Sequence, residues 1–170
     1  MLIAHISDTH IRNLKYHYEY RQAFEDLYDK LRDQRPDIIV HTGDIAHTKT
    51  QLSPEFFQMC TNFLKNLADI APTYIILGNH DGNLKNDNRQ DAITPIVEAL
   101  EHPRLVLLKD SQEYTPEEGL TFNVLSVFDE DNWVRRVAEL EDLANQKRKY
   151  PKLVMSSIRE PIKPKNIKVQ

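Results

Sequence analysis

Three short apolar runs, each ending in side chains able to bind a metal ion, constrain this chain more than any other feature. Ala4-His5-Ile6-Ser7 leads into Asp8-Thr9-His10. Ile38-Ile39-Val40-His41 leads through Thr42 and Gly43 into Asp44. Tyr74 to Leu77 stops at Gly78, and Asn79-His80-Asp81 follows at once. Runs of this length read as buried strands. Between the first two, Tyr20, Phe24, Leu27 and Leu31 recur at helical spacing with Glu25, Asp26, Lys30 and Arg32 among them, and the pattern ends ahead of Pro36. Between the second and third, Ser53-Pro54-Glu55 marks a helix start, and Phe56, Cys60, Phe63, Leu64 and Leu67 form its apolar face. The alternation β-α-β-α-β implies a parallel sheet with right-handed crossovers. In such a sheet the carboxyl ends of the strands share one edge, which is where chemistry is placed.

The remainder continues less regularly. A polar loop runs from Gly82 to Gln90, and Ile93, Val97 and Leu100 mark a short helix that Pro95 interrupts early. Arg104 to Lys109 reads as a fourth strand, Glu113 to Gly119 as a hairpin region and Leu120 to Val127 as another strand. Trp133, Val137, Leu140 and Ala144 predict a last helix, and Lys152 to Ser157 one more strand. From Arg159 on, prolines and lysines break all periodicity, and disorder is expected. The expected division is a domain over residues 1–144 and a basic, loosely ordered tail over 145–170. The net charge of -4 conceals that division: the tail carries eight Lys/Arg against Glu160, whereas the body is strongly acidic. An acidic body concentrates cations at clustered carboxylates, and a basic tail attracts polyanions, although most short charge runs are merely solvated. Cys60 is the sole cysteine, which excludes an internal disulfide and fits a reducing compartment. His5 and Asp8 interrupt the apolar start, so no signal peptide is read there. No stretch approaches the length of a membrane span, and a cytoplasmic protein is expected.

The strand ends carry a coherent donor set. Asp8 and His10, one residue apart on a bend, can reach one ion. A carboxylate with an imidazole suits Mn²⁺, Fe²⁺ or Zn²⁺ better than Mg²⁺ or Ca²⁺. Gly43 lets the backbone turn into Asp44, whose two oxygens can bridge two ions. Asn79 offers an amide oxygen, His80 can donate a proton or hydrogen bond to a phosphoryl oxygen, and Asp81 can fix the His80 ring from behind. Two ions about 3.5–4 Å apart suit in-line attack of water on phosphorus, and a positioned histidine adds roughly 10²–10⁴-fold. Singly each signal is ordinary: Asp-x-His occurs by chance, and Gly-Asn-His-Asp is often only a turn. Three such signals at three consecutive strand ends are not.

Asp8-Thr9-His10, Gly43-Asp44 and Gly78-Asn79-His80-Asp81 resemble, in order, the first three motifs of the calcineurin-like metallophosphoesterase superfamily. Gly43-Asp44-Ile45-Ala46-His47 looks most like the recombination-nuclease branch, the SbcD-type exonuclease subunit of double-strand-break repair. The likeness covers roughly residues 1–133. It implies an α/β fold with a layered β-sheet core flanked by helices, incomplete at the C-terminal side. It implies a metal-dependent phosphodiesterase, a DNA exo- or endonuclease, using two divalent ions with Mn²⁺ as the working metal. Asp8 and His10 would bind the first ion, Asp44 would bridge, and Asn79 would bind the second. His80 would serve the transition state and leaving group, and His47 would lie near the nucleic-acid path. The implied partners are DNA, a coiled-coil ATPase subunit and a second copy of the chain; no membrane is implied.

The family completes its site with later histidines, one at the end of a further strand and a Gly-His-x-His beyond it. This sequence has neither: past His80 the only histidine is His102, and Ser156-Ser157 stand where a ligand histidine belongs. The expectation is a C-terminally truncated member whose second ion binds weakly, with activity to match. Two other readings stand beside it, a phosphoesterase of small substrates and a non-catalytic module that binds DNA or a partner through the basic tail. The remaining histidines read blandly: His5 as a satisfied core residue, His41 as packing behind the site, His17 as surface. Tyr16, Tyr18 and Tyr20, near Lys15 and Arg21, read as helix packing ahead of base stacking.

Overall fold

The computed structural model describes residues 1–86, 89–130, 132, 133, 135, 137–139 and 152–155. Strands β1 (Ile3–Ile6), β2 (Ile38–His41), β3 (Thr73–Ile75) and β4 (Leu105–Leu107) form one parallel sheet in sequence order. Helices α1 (His17–Gln34), α2 (Pro54–Ile70) and α3 (Thr94–Leu100) make the three crossovers. Each connection steps to the adjacent strand in the same direction, so right-handed crossovers gather all three helices on one face.

The strand period of two divides the core. Ile39 and Ile75 point toward the helices and pack with Phe24, Tyr28, Phe56, Phe63, Leu64 and Leu67. Ile38, Val40, Tyr74 and Ile76 point the other way, into a second cluster with Leu120, Phe122, Val124 and Met155. Those partners belong to a second sheet: β5 (Gln112–Glu117) and β6 (Leu120–Val124) form an antiparallel hairpin, and β7 (Lys152–Met155) pairs with β6 in parallel. The layers are helices, parallel sheet, mixed sheet. A sheet buried on both faces explains why β2 reads as an unbroken apolar run rather than an alternating one.

Over the described residues the predicted elements are present, with informative shifts at their ends. Ser53 caps α2, its Oγ accepting from Phe56 N–H at 3.2 Å, with Pro54 at the first helical position. Pro95 does not interrupt α3; it lies in its first turn, where a missing N–H costs nothing. The strand expected over Leu120 to Val127 ends at Val124, and Val127–Asp129 form a 3₁₀ turn capped by Ser126. Helical backbone continues at 132, 133, 135 and 137–139, and Trp133 is buried, its indole N–H donating to the Ser126 carbonyl at 2.8 Å. The rest of that predicted helix, Ser156, Ser157 and the segment past Arg159 lie outside the described residues. His5 is a correction: β1 is the edge of its sheet, so His5 is exposed, its Nε2 within 2.9 Å of Thr42 Oγ1. Of the three tyrosines only Tyr20 packs against the core; Tyr16 and Tyr18 are exposed. Among the described residues no helix is long and apolar enough to cross a membrane.

Candidate metal centre

The site is built by hydrogen-bonding one strand-end loop to the next. Past the end of β1 and β2 the backbones keep running side by side. Asp8 N–H donates to Gly43 O at 3.1 Å, His10 N–H to Asp44 O at 3.0 Å and Ile11 N–H to Ile45 O at 2.7 Å. Ile11 and Ala46 close this segment with an isolated parallel bridge. The third loop is tied to the second by side chains: His80 N–H donates to Asp44 Oδ1 at 2.9 Å. Asp81 takes Gly78 N–H on one oxygen and Ala46 N–H on the other, each at 2.8 Å.

These ties bring Asp8, His10 and Asp44 together. One donor atom from each lies within 4.8 Å of the others. His10 Nε2 stands 3.5 Å from Asp8 Oδ1 and 3.8 Å from Asp44 Oδ2. The backbone is bent to achieve it. Asp8, His10 and Asp44 all have left-handed φ, at 56°, 45° and 55°, a conformation costing roughly 1–2 kcal/mol for a residue with a Cβ. Strain held at three convergent donors points to a function for the geometry. Gly43 and Gly78 make room for it. Gly43 has φ 92°, and a Cβ there would come within 2.4 Å of Gly78 N. A Cβ on Gly78 would come within 2.2 Å of Asp44 Oδ1. Two carboxylates and one imidazole at this spacing, Asp44 buried, His10 half-buried and Asp8 exposed, fit a divalent transition-series ion.

Histidines surround the trio. The His10 and His80 rings stand edge to face at 4.7 Å, and His47 lies 5.8 Å from His10 and 6.2 Å from His80. His80 Nδ1 is 3.0 Å from the His47 carbonyl. A carbonyl only accepts, so Nδ1 carries the hydrogen and Nε2 is left for substrate. The sequence reading gives Asp81 the task of aiming the His80 ring; the structure gives it to the His47 backbone. Asp81 instead holds Gly78 against Ala46, fully buried, and burial pushes its carboxyl up to about 7 despite the two N–H donors. His47 is held below its usual range by partial burial and then by the Arg12 charge. Asn79 is half-buried beside His80, and the two line one open recess with His47.

His41 is fully buried behind the site. It accepts from Gly43 N–H on Nδ1 at 3.2 Å, and its Nε2 is 3.4 Å from Thr9 Oγ1. Burial lowers it to about 3, so it is a neutral strut, as its position suggests. His102 pairs with Asp69 at 3.1 Å, and His17 bonds the Arg12 carbonyl at 2.6 Å. Sequence reasoning missed two supports. Tyr20 donates to the His10 carbonyl at 2.6 Å, and Lys49 donates to the Asn79 carbonyl at 3.1 Å. Lys49 lies two residues past His47, a proximity that was the only available signal.

The sequence profile of the calcineurin-like phosphoesterase family matches residues 1–164. An uncharacterised protein of Acanthamoeba polyphaga mimivirus is 46% identical over 133 residues, 76% of this chain and 10% of that protein. The DNA double-strand break repair protein Mre11 of Methanococcus maripaludis is 28% identical over 86 residues, 48% of this chain and 23% of that protein. A protein of Arcobacter nitrofigilis, named as a probable glycerophosphodiester phosphodiesterase, is 30% identical over 95 residues, 51% of this chain and 33% of that protein. The chain thus spans between 10% and 33% of the length of these relatives. With a profile match over nearly the whole sequence, and with Asp8, His10 and Asp44 gathered at the ends of adjacent parallel strands, the chain belongs to the calcineurin-like phosphoesterase family.

Proposed function

We propose that this chain carries the metal-binding half of a phosphodiesterase site that acts on DNA, of the kind used in recombination and double-strand-break repair. The observation that carries the reading is the convergence of Asp8, His10 and Asp44 within 4.8 Å, with His80 edge-on to His10. Asp8 and His10 would hold one divalent ion and Asp44 would share it with a second, for which Asn79 is the further ligand. Mn²⁺ suits the mixed oxygen and nitrogen donors. Ions held there would supply charge neutralisation at the phosphoryl oxygens and would ease loss of a proton from an attacking water.

The protein's own residues do the rest. Asp44 is fixed in orientation by the His80 N–H, so its Oδ2 stays directed at His10. His80 keeps Nδ1–H on the His47 carbonyl in both protonation states. As an imidazolium its Nε2–H can protonate the leaving oxygen, and as a neutral ring Nε2 can take the proton back. The His47 that follows Gly43-Asp44 supports DNA over a small diester, whereas the likeness to Mre11 is matched by that to the probable glycerophosphodiester phosphodiesterase. A coiled-coil ATPase subunit and a second copy of the chain are the partners this reading implies.

The test is to count Mn²⁺ ions bound by the purified chain and to assay a duplex oligonucleotide beside a small chromogenic diester. One tightly and one weakly held ion, both lost in Asp44→Ala, with weak Mn²⁺-dependent DNA cleavage, are expected. Hydrolysis of the small diester with no DNA cleavage overturns the DNA reading in favour of a small-substrate phosphoesterase. DNA binding that needs no metal and survives Asp44→Ala, with no hydrolysis of either substrate, makes the chain a binding module.

A further inference from the structure

Beside the metal centre is a recess of about 270 Å³ lined by His47, Thr48, Lys49, Thr50, Asn79 and His80. Its volume falls just below the range of about 300–1,000 Å³ typical of whole small-molecule sites. It has room for a phosphate with its sugar. Lys49 is half-buried in this recess, its Nζ donating to the Asn79 carbonyl at 3.1 Å. That bond uses one of three ammonium hydrogens. Among the described residues no carboxylate pairs with Lys49, although 26 Asp and Glu crowd the chain. Thr48 and Thr50 put hydroxyls on the same wall, joined by a Thr50 N–H to Thr48 Oγ1 contact of 3.4 Å. A partly desolvated cation with spare donors, next to hydroxyls and to the leaving-group histidine, is suited to hold an anion beside the metal centre.

We propose that Lys49, with Thr48 and Thr50, binds the phosphate adjacent to the scissile one in a polynucleotide strand, so that this recess discriminates a nucleic-acid strand from an isolated diester. The inference deepens the DNA reading and rests on it for the identity of the ligand. A small diester has no second phosphate and cannot engage Lys49. A strand gains one charge-assisted contact and is thereby set in register.

The experiment compares Lys49→Ala and Lys49→Arg in the full chain, each also carrying Asp44→Asn so that no strand is consumed. Binding of a fluorescent single-stranded oligodeoxynucleotide is followed by anisotropy across a salt series. Lys49→Ala is expected to weaken binding roughly 5- to 10-fold and to flatten the slope of log K against log salt by about 0.7, one phosphate contact. Lys49→Arg should retain both. In protein that keeps Asp44, Lys49→Ala should lose less on the small diester than on the strand, because the bond to the Asn79 carbonyl serves both substrates and the flanking phosphate only the strand. Unchanged strand affinity and salt slope in Lys49→Ala would overturn the subsite. An equal loss on strand and small diester, with weakened Mn²⁺ binding, also overturns it, by showing that Lys49 acts only through the Asn79 carbonyl. Because binding is read without turnover, a chain that cleaves no DNA still tests the subsite, and one that cleaves DNA with Lys49 silent leaves the parent reading intact.

Discussion

Gly78 shows how much of the site depends on what is missing from a residue. Its lack of a side chain lets the third loop lie directly on Asp44: an added Cβ would meet Asp44 Oδ1 at 2.2 Å and Asp44 N at 2.3 Å. The second of these is backbone and cannot swing aside. Gly78→Ala is therefore expected to displace Asp44 from His10, and to cost about 1–3 kcal/mol as overpacking does. Urea unfolding should show that loss, and calorimetric titration should show Mn²⁺ affinity falling with it. Full Mn²⁺ affinity in a folded Gly78→Ala protein would mean that the crossing of these loops does not set the donor geometry. At this scale the sequence was informative about donors and about His41 behind them, and misleading about Asp81. Asp8, His10 and Asp44 declare themselves because few side chains bind metals. Asp81 looked like a partner for His80 because the two are adjacent, yet adjacent residues on a turn point apart, and its oxygens went to Gly78 and Ala46.

Ser53 links two elements. Its hydroxyl accepts from Phe56 N–H at 3.2 Å, capping α2, and donates to the Asn13 carbonyl at 2.8 Å. Asn13 Oδ1 in turn accepts Ser53 N–H at 3.3 Å. The start of α2 is thereby tied to the loop that follows Asp8 and His10. A simple cap is worth about 1 kcal/mol, and each further net hydrogen bond about 0.5–1.5 kcal/mol. Ser53→Ala should thus cost about 2 kcal/mol, more than a cap alone. Of these Ser53 bonds, Asn13→Ala removes only the separate one from the Ser53 N–H, because the carbonyl that Ser53 Oγ reaches is backbone, a loss of about 0.5–1.5 kcal/mol. A Ser53→Ala loss in urea unfolding no larger than a cap's, about 1 kcal/mol, would mean that the bond to the Asn13 carbonyl adds nothing. The cap was legible because Ser-Pro-Glu is a local signal. The tie to Asn13, forty residues away, was not, since nothing local records it. The same distinction explains α3, where Pro95 was read as an interruption: only the observed start of the helix shows that it occupies a first-turn position. It also explains His5, whose burial depended on β1 being an interior strand rather than an edge.

Across the whole molecule, parallel order was legible from the β-α alternation, whereas the second sheet was not. Its strands were visible one by one, but that they cover the helix-free face follows from long-range packing of Phe122, Val124 and Met155 on Val40 and Ile76. Behind the strand ends lie two buried groups whose titrations oppose each other. His41 falls from its ordinary 6.5 to about 3 because burial disfavours the imidazolium. Asp81 rises from 3.8 to about 7 because burial disfavours the carboxylate. Between pH 3 and 6.5 the unfolded chain binds the His41 proton and the folded chain does not, so His41 costs stability as pH falls through that window. Between pH 3.8 and 7 the folded chain keeps the Asp81 proton and the unfolded chain does not, so Asp81 adds stability over most of the same window. Their slopes, each at most about 1.4 kcal/mol per pH unit, largely cancel. His41→Asn keeps an acceptor for Gly43 N–H and removes one of the two titrations. In metal-free protein its deficit against wild type should shrink by up to about 1.4 kcal/mol per unit as pH falls from 6 to 4. The measurement is urea unfolding of both proteins in chelator at pH 6, 5 and 4. A deficit independent of pH would mean that His41 titrates alike in the folded and unfolded chains, and is not the neutral strut beneath Gly43 that its burial requires.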